Sequence, residues 1–184
     1  AFEIYEGEGA FYGPKIEVTI FDSMGRAWQC STAQVDFFMP QNFDIYYINN
    51  KGEKQQPVIV HQALLGSLER FFGILLEDCK GHFPFWLCPT QIKIIPITEK
   101  QLEYANNIKA KLKELNLRVE VDESSEPLSA KIKVAQLDRI PWMLVIGQKE
   151  MDNNTITLRH VDGKQEFGLT LEQITQRAKE LNQI

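Results

Sequence analysis

The sequence predicts an α+β first half built on an antiparallel sheet, followed by an α/β second half built on a mixed sheet. Two patterns carry this prediction. Strands of period two dominate the first ninety residues, as in KIEVTIF, Lys15 to Phe21. Beyond them, β-branched runs alternate with stretches whose apolar residues recur at helical spacing. Pro89 stands where one pattern gives way to the other, so the expected domains are 1–89 and 90–184.

Each element has a local reason. DSMG supplies a turn after Lys15 to Phe21, and RAWQCSTAQVDFF, Arg26 to Phe38, continues as a long strand. YYINNKGEKQQPVIVH reads as a hairpin with Asn50, Lys51 and Gly52 at its tip, leading into a buried strand around Val58 to Val60. A helix over Ser67 to Cys79 follows, with Gly66 at the junction and Ser67 as N-cap. In the second half, Ile92 to Ile97 forms a strand, and Thr98 with Gln101 has the spacing of a capping box. Leu102, Ala105, Ile108, Leu112 and Leu115 then mark one helical face, and Asn116 is a stop signal. RVEV is a strand, Ala130 to Arg139 a short helix and WMLVIG a buried strand. NTITLRHVDGKQEFGL is a hairpin turning at Asp162 and Gly163, and TLEQ caps the last helix.

Composition narrows the function. No run of about eighteen apolar residues exists, and the opening AFEIYEGEGAFYGPK has neither the basic flank nor the apolar stretch of a signal peptide. Cys30, Cys79 and Cys88 are odd in number and contain no CxxC pair, which fits reduced thiols in a cytosolic protein. Residues 1–90 carry 6 Lys and Arg against 11 Asp and Glu, whereas residues 91–184 carry 14 of each. Neither half has the basic excess of a protein that binds nucleic acid mainly through phosphates, so any such role rests on local patches. The chain starts on Ala1 rather than Met, as a segment from inside a longer protein would.

The helix HQALLGSLERFFGILLED holds the first chemical signal. Arg70 falls in the first turn, where a cation opposes the helix dipole at a cost of about 0.3–1 kcal/mol. An anion beside the free N–H groups would reverse that sign, with the guanidinium offering bidentate contact. The competing reading is that Arg70 pairs with Glu69, Glu77 or another carboxylate, as helix-surface pairs commonly do. Gly73, in mid-helix, has two equal readings: close approach by a ligand or another backbone, and tight packing on a sheet. His61 ends a strand just before this turn; a zinc site needs three or four ligands, and Cys30 and Cys88 show no diagnostic spacing to it. Gly7, Gly9 and Gly13 permit a tight loop carrying Tyr12 and Lys15. Thr32 and Gln34 share a strand face, while Gln29 points the other way unless a bulge intervenes.

GEGAFYGPKIE, GRAWQCSTAQVDFFMP, PVIVHQALLGSLERFFGIL and FPFWLCPTQ together resemble the last part of the catalytic domain of threonyl-tRNA synthetases, and GSLER resembles motif 3 of class II aminoacyl-tRNA synthetases. The remaining half resembles the α/β anticodon-binding domain of class IIa. The resemblance implies a cytoplasmic threonine–tRNA ligase that activates threonine with ATP and Mg2+ and transfers it to tRNA(Thr), as a homodimer at full length and with no membrane association. It implies that Arg70 is catalytic through the ATP phosphates, with Ser67 beside the nucleotide. Lys15, Gln29 and Thr32 match adenylate-holding positions, and Tyr12 and Gln34 match positions around threonine. His61 matches a ligand of a catalytic Zn2+ that binds threonine.

Motifs 1 and 2 and the other two zinc ligands fall outside the sequence, so this segment alone is expected to be inactive. Glu150 and Arg159 match anticodon-contacting positions. DESSEPLSAKIK departs from the family's arginine-rich pattern: Ser125 and Lys133 stand where Asn and Arg are frequent. A catalytically inactive synthetase-like RNA-binding or regulatory protein is the alternative reading.

Overall fold

The computed structural model describes residues 2–182. They form two compact units that divide between Lys80 and Gly81. In the first, β1 (Lys15–Phe21), β2 (Ala27–Asp36) and β5 (Ile59–Ala63) make an antiparallel sheet in the order β1-β2-β5. A short helix α1 (Met39–Asn42) and a two-stranded hairpin, β3 (Tyr47–Ile48) with β4 (Lys54–Gln55), lie between β2 and β5. The strand read as buried around Val58 to Val60 is an outer strand of this sheet. Val58 is 50% and Val60 61% exposed, because three strands and one helix do not cover both faces.

Helix α2 (Leu68–Asp78) begins where the capping signal puts it: Ser67 Oγ accepts the Arg70 N–H at 3.3 Å. Gly66 makes the entry possible. It sits at φ +68°, and a Cβ there would lie 2.5 Å from the Cys30 carbonyl oxygen. Gly73 answers differently, since a Cβ there meets nothing within 4 Å. Neither close approach nor tight packing within the described residues accounts for it.

The second unit is a five-stranded mixed sheet in the order β10-β9-β8-β6-β7. β6 (Ile92–Pro96) pairs in parallel with both β7 (Val119–Val121) and β8 (Trp142–Ile146), while β9 (Ile156–His160) and β10 (Gln165–Leu169) add an antiparallel edge. Helices α3 (Leu102–Lys113) and α6 (Leu171–Leu181) cover one face, where Ile92, Ile94, Leu112, Leu144 and Ile174 form the core. Helix α4 (Leu128–Leu137) covers part of the other through Ile95, Ala135, Ile140 and Met143. The short helix α5 (Gln148–Asn153) is absent from the sequence-based reading, since Gly147 has no side chain with which to signal an N-cap.

The units divide ahead of Pro89. Phe85 is buried against Trp142, with ring centroids 4.8 Å apart, and Arg118 donates to the carbonyls of Cys88 and Trp86. These contacts tie the segment before Pro89 to the second unit. No helix among the described residues is long and apolar enough to cross a membrane.

Candidate functional site

One irregularity in strand pairing organises the first unit. Lys15 faces Gln34 and Glu17 faces Thr32, but the register then shifts, so that Thr19 faces Gln29. The extra residue on β2 is Cys30. This bulge brings Gln29 into phase with Thr32 and Gln34, because Lys15, Glu17 and Thr19 alternate onto one face and take their cross-strand partners with them. β5 extends the row, with His61 opposite Gln34.

Side-chain contacts knit that face together. Gln29 Nε2 donates to Glu17 Oε1 at 2.6 Å, and Lys15 Nζ reaches the same oxygen at 2.8 Å. Tyr12 comes from the glycine-rich loop, which lies so close to β2 that a Cβ on Gly13 would fall 2.1 Å from the Val35 carbonyl oxygen. Tyr12 Oη donates to Gln34 Oε1 at 2.7 Å, and its ring meets His61 edge-on at 6.3 Å. The fold thus brings Tyr12, Lys15, Gln29, Thr32, Gln34 and His61 to a common surface.

Behind His61 stands Asp36, whose side chain is 2% exposed and whose Oδ2 lies 2.8 Å from His61 Nε2. Asp36 Oδ1 accepts the N–H groups of Phe38 and Met39. Burial works to raise the Asp36 carboxyl pKa, but the Met39 N–H, His61 and the Phe38 N–H outweigh it and hold it below the ordinary value. A buried carboxylate on one ring nitrogen leaves Nδ1 as the nitrogen available to another partner, the arrangement that orients a metal-binding imidazole. No cluster of three or more His, Cys, Asp or Glu able to hold a metal occurs among the described residues.

Arg70 lies at the open edge of β2. β5 ends at Ala63, opposite Thr32, and beyond it Arg70 Nη1 donates to the Gln29 carbonyl at 3.4 Å. The carboxylates considered as its partners are engaged elsewhere. Glu69 accepts from Ser67 Oγ at 2.8 Å, and Glu77 takes Ser23 Oγ at 2.9 Å and Arg26 Nη2 at 3.6 Å. Arg70 has no ion pair among the described residues, whereas Lys15 and Arg26 both do.

In the second unit, the parallel strands β6, β7 and β8 end at a common edge, and a crevice of about 540 Å³ opens past β6 and β8, lined by Ile97 to Gln101 and Gln148. Ligands bind at such edges in open α/β sheets. Glu150, on α5, accepts the Gly147 N–H at 3.0 Å and the Thr157 hydroxyl at 2.9 Å. Arg159 pairs with Met143 nearer the other end of β8, on the sheet face that α4 partly covers. Its Nε is the one buried side-chain polar atom without a hydrogen-bond partner among the described residues. Ser125, in the loop after β7, and Lys133, on α4, are both exposed. Glu150, Ser125 and Arg159 are thus distributed over the edge and one face rather than gathered in a single cavity.

Asp22, Trp28 and Asp36 were not singled out from the sequence. Asp22, in a turn four residues before Arg26, carried a local signal, since its carboxylate accepts the backbone N–H and Nε of Arg26.

Comparison with known proteins agrees with the two-unit division. Residues 2–79 match the tRNA synthetase class II core domain (G, H, P, S and T), and residues 91–181 match the anticodon binding domain. Threonine–tRNA ligase of Sulfurihydrogenibium sp. is 47% identical over 98% of the chain, and that of Acetivibrio thermocellus 52% identical over 86%. The chain spans about a quarter of the length of these curated relatives, 28% and 25% respectively. Among solved structures, the RNA binding domain of threonyl-tRNA synthetase from Cryptosporidium parvum Iowa II matches with a TM-score of 0.83 and 39% identity, covering 95% of this chain and 44% of that one. The chain belongs to the threonyl-tRNA synthetase family, whose class II core and anticodon-binding regions its two units represent.

Proposed function

We propose that this chain supplies one wall of the threonine- and ATP-binding site, together with anticodon recognition, in a cytoplasmic threonine–tRNA ligase that acts as a homodimer. The observation that carries the reading is the bulge at Cys30, which sets Gln29 beside Thr32, Gln34, Lys15 and His61, while Arg70 stands at the same strand with no carboxylate partner among the described residues. Such an arrangement suits a polar ligand carrying both an amino acid and a phosphate.

Arg70 and Ser67 face the nucleotide, where a planar, permanently charged guanidinium matches phosphate oxygens whose charge is redistributed as pyrophosphate leaves. Lys15, Gln29 and Thr32 hold the adenylate. Tyr12 and Gln34, already joined at 2.7 Å, flank threonine. His61 is a ligand of Zn2+, which when bound supplies direct contacts to the amino and hydroxyl groups of threonine. A site that must engage a hydroxyl rejects valine far better than a purely apolar pocket would. Glu150, Arg159, Lys133 and Ser125 contact the anticodon of tRNA(Thr).

The test is His61→Ala in the full-length ligase. Loss of bound zinc together with threonine-dependent pyrophosphate exchange is expected. Retention of both would remove the assignment.

A further inference from the structure

Three residues outside the site converge beside Arg70. Asp22, in the turn between β1 and β2, has a side chain with no exposed surface. Its carboxylate is saturated: Oδ1 accepts the N–H groups of Met24 at 3.0 Å and Arg26 at 2.8 Å, and Oδ2 accepts Arg26 Nε and, at 2.8 Å, Trp28 Nε1. The indole is thus anchored through its one polar atom. Arg70 Cζ lies 5.5 Å from the Trp28 ring centroid and Arg26 Cζ 5.7 Å from it, both within cation–π range.

The two guanidinium groups differ in what else they hold. Arg26 is paired with Asp22 and Glu77, whereas among the described residues the Arg70 guanidinium meets the ring and the Gln29 carbonyl and no carboxylate. Glu77 also accepts from Ser23, so the later turns of α2 are fastened to the same β1–β2 turn that fixes Trp28. Helix and ring therefore share one anchor. Trp28 alternates to the face opposite Gln29, and Arg70 Nη1 is held at the strand edge by the Gln29 carbonyl while its Cζ lies against the ring.

We propose that Trp28 is a positioning residue for Arg70: the indole, held by Asp22, is a shelf that restricts the guanidinium to the strand edge beside the Gln29 carbonyl, the edge from which it would meet the nucleotide phosphates. The proposal rests on the reading of Arg70 as the nucleotide-contacting cation. A ring fixed by a buried carboxylate removes conformations that the long Arg side chain would otherwise sample, so less freedom is lost when ATP binds.

The experiment is threonine-dependent pyrophosphate exchange by the full-length ligase, with Trp28→Leu, Trp28→Phe, Arg70→Ala and the double variants Trp28→Leu/Arg70→Ala and Trp28→Phe/Arg70→Ala. Trp28→Leu is expected to raise KM for ATP roughly three- to fivefold, the size of a partly exposed cation–π contact, and to leave KM for threonine unchanged. Trp28→Phe, which keeps a ring face but not the bond to Asp22, should fall between. In the Arg70→Ala background the loss of Trp28 should add nothing further. An unchanged KM for ATP in Trp28→Leu, or full additivity with Arg70→Ala, would overturn the proposal. If Trp28→Leu does not fold, the cycle built on Trp28→Phe decides by the same criterion. An Arg70→Ala enzyme with normal ATP kinetics would instead overturn the nucleotide role of Arg70, and the shelf with it.

Discussion

Asp36 Oδ2 meets His61 Nε2 at 2.8 Å, and the same carboxylate is pinned by two backbone N–H groups at the start of α1. His61 is exposed on its strand, so its orientation depends on this contact. Replacing Asp36 by Asn keeps the shape and removes the charge. In the full-length ligase, Asp36→Asn should weaken zinc binding by about 10- to 100-fold, the usual cost of removing a carboxylate behind a metal-binding imidazole. Chelator competition measures this directly, and unaltered affinity would show that the pair is only structural.

Two glycines on one helical segment should respond in opposite directions to alanine. Gly66→Ala places a Cβ against the Cys30 carbonyl at φ +68°, and a loss of about 1–3 kcal/mol is expected. Gly73→Ala adds a methyl group in open space within a helix, and a gain of about 1 kcal/mol is expected in this chain. Urea midpoints at constant m-value separate the two. A destabilised Gly73→Ala would mean that the helix surface there is covered.

Two carboxyl groups should make stability depend on pH in acid. Burial pulls the Asp22 pKa upward, but the donors from Trp28, Arg26 and Met24 prevail and lower it from 3.8 to about 2. Glu166 is lowered from 4.5 to about 2, first by Arg177 at 2.8 Å and then by His160 at 2.9 Å. The unfolded chain binds more protons than the folded one between those values. The stabilisation is therefore complete above the unfolded pKa values and is lost as pH falls towards 2. Asp22→Asn and Glu166→Gln should each flatten the fall in melting temperature between pH 5 and pH 2, relative to the unsubstituted chain. An unchanged slope in both would contradict the assigned contacts.

Arg159 and Lys133 should affect RNA binding in different ways. Arg159→Gln removes a donor from a sheet face and should reduce discrimination between tRNA(Thr) and other tRNAs by about 1–3 kcal/mol. Lys133→Gln removes an exposed charge and should weaken all tRNAs alike, lowering the salt dependence by about one ion. Titrations at two salt concentrations distinguish a specific contact from a general one.

Much of this fold was legible because the signals were local. Ser67, Thr98 and Thr170 cap helical turns as their spacing predicts, and Asn116 takes the left-handed conformation that ends α3 and its final turn. What escaped depended on partners distant in sequence or on backbone geometry. Strict alternation puts Gln29 on the wrong face, and only the two-against-one pairing at Cys30 corrects it. Val60 has the composition of a buried strand residue, yet its exposure is set by how many elements cover the sheet. Phe85 lies before Pro89 but belongs with Trp142, a contact that no window of sequence contains. Local spacing alone offers Arg70 both Glu69 and Glu77 as partners, and only the fold shows that these two carboxylates contact other groups.

Arg70 has no carboxylate partner among the described residues, and in the proposed site a nucleotide phosphate fills that role. Pyrophosphate exchange by full-length Arg70→Ala, followed as a function of ATP at saturating threonine, tests it most directly. A loss of about 10²- to 10³-fold in kcat/KM for ATP, with zinc content unchanged, is the predicted result. Exchange at the unsubstituted enzyme's rate and KM for ATP would contradict it.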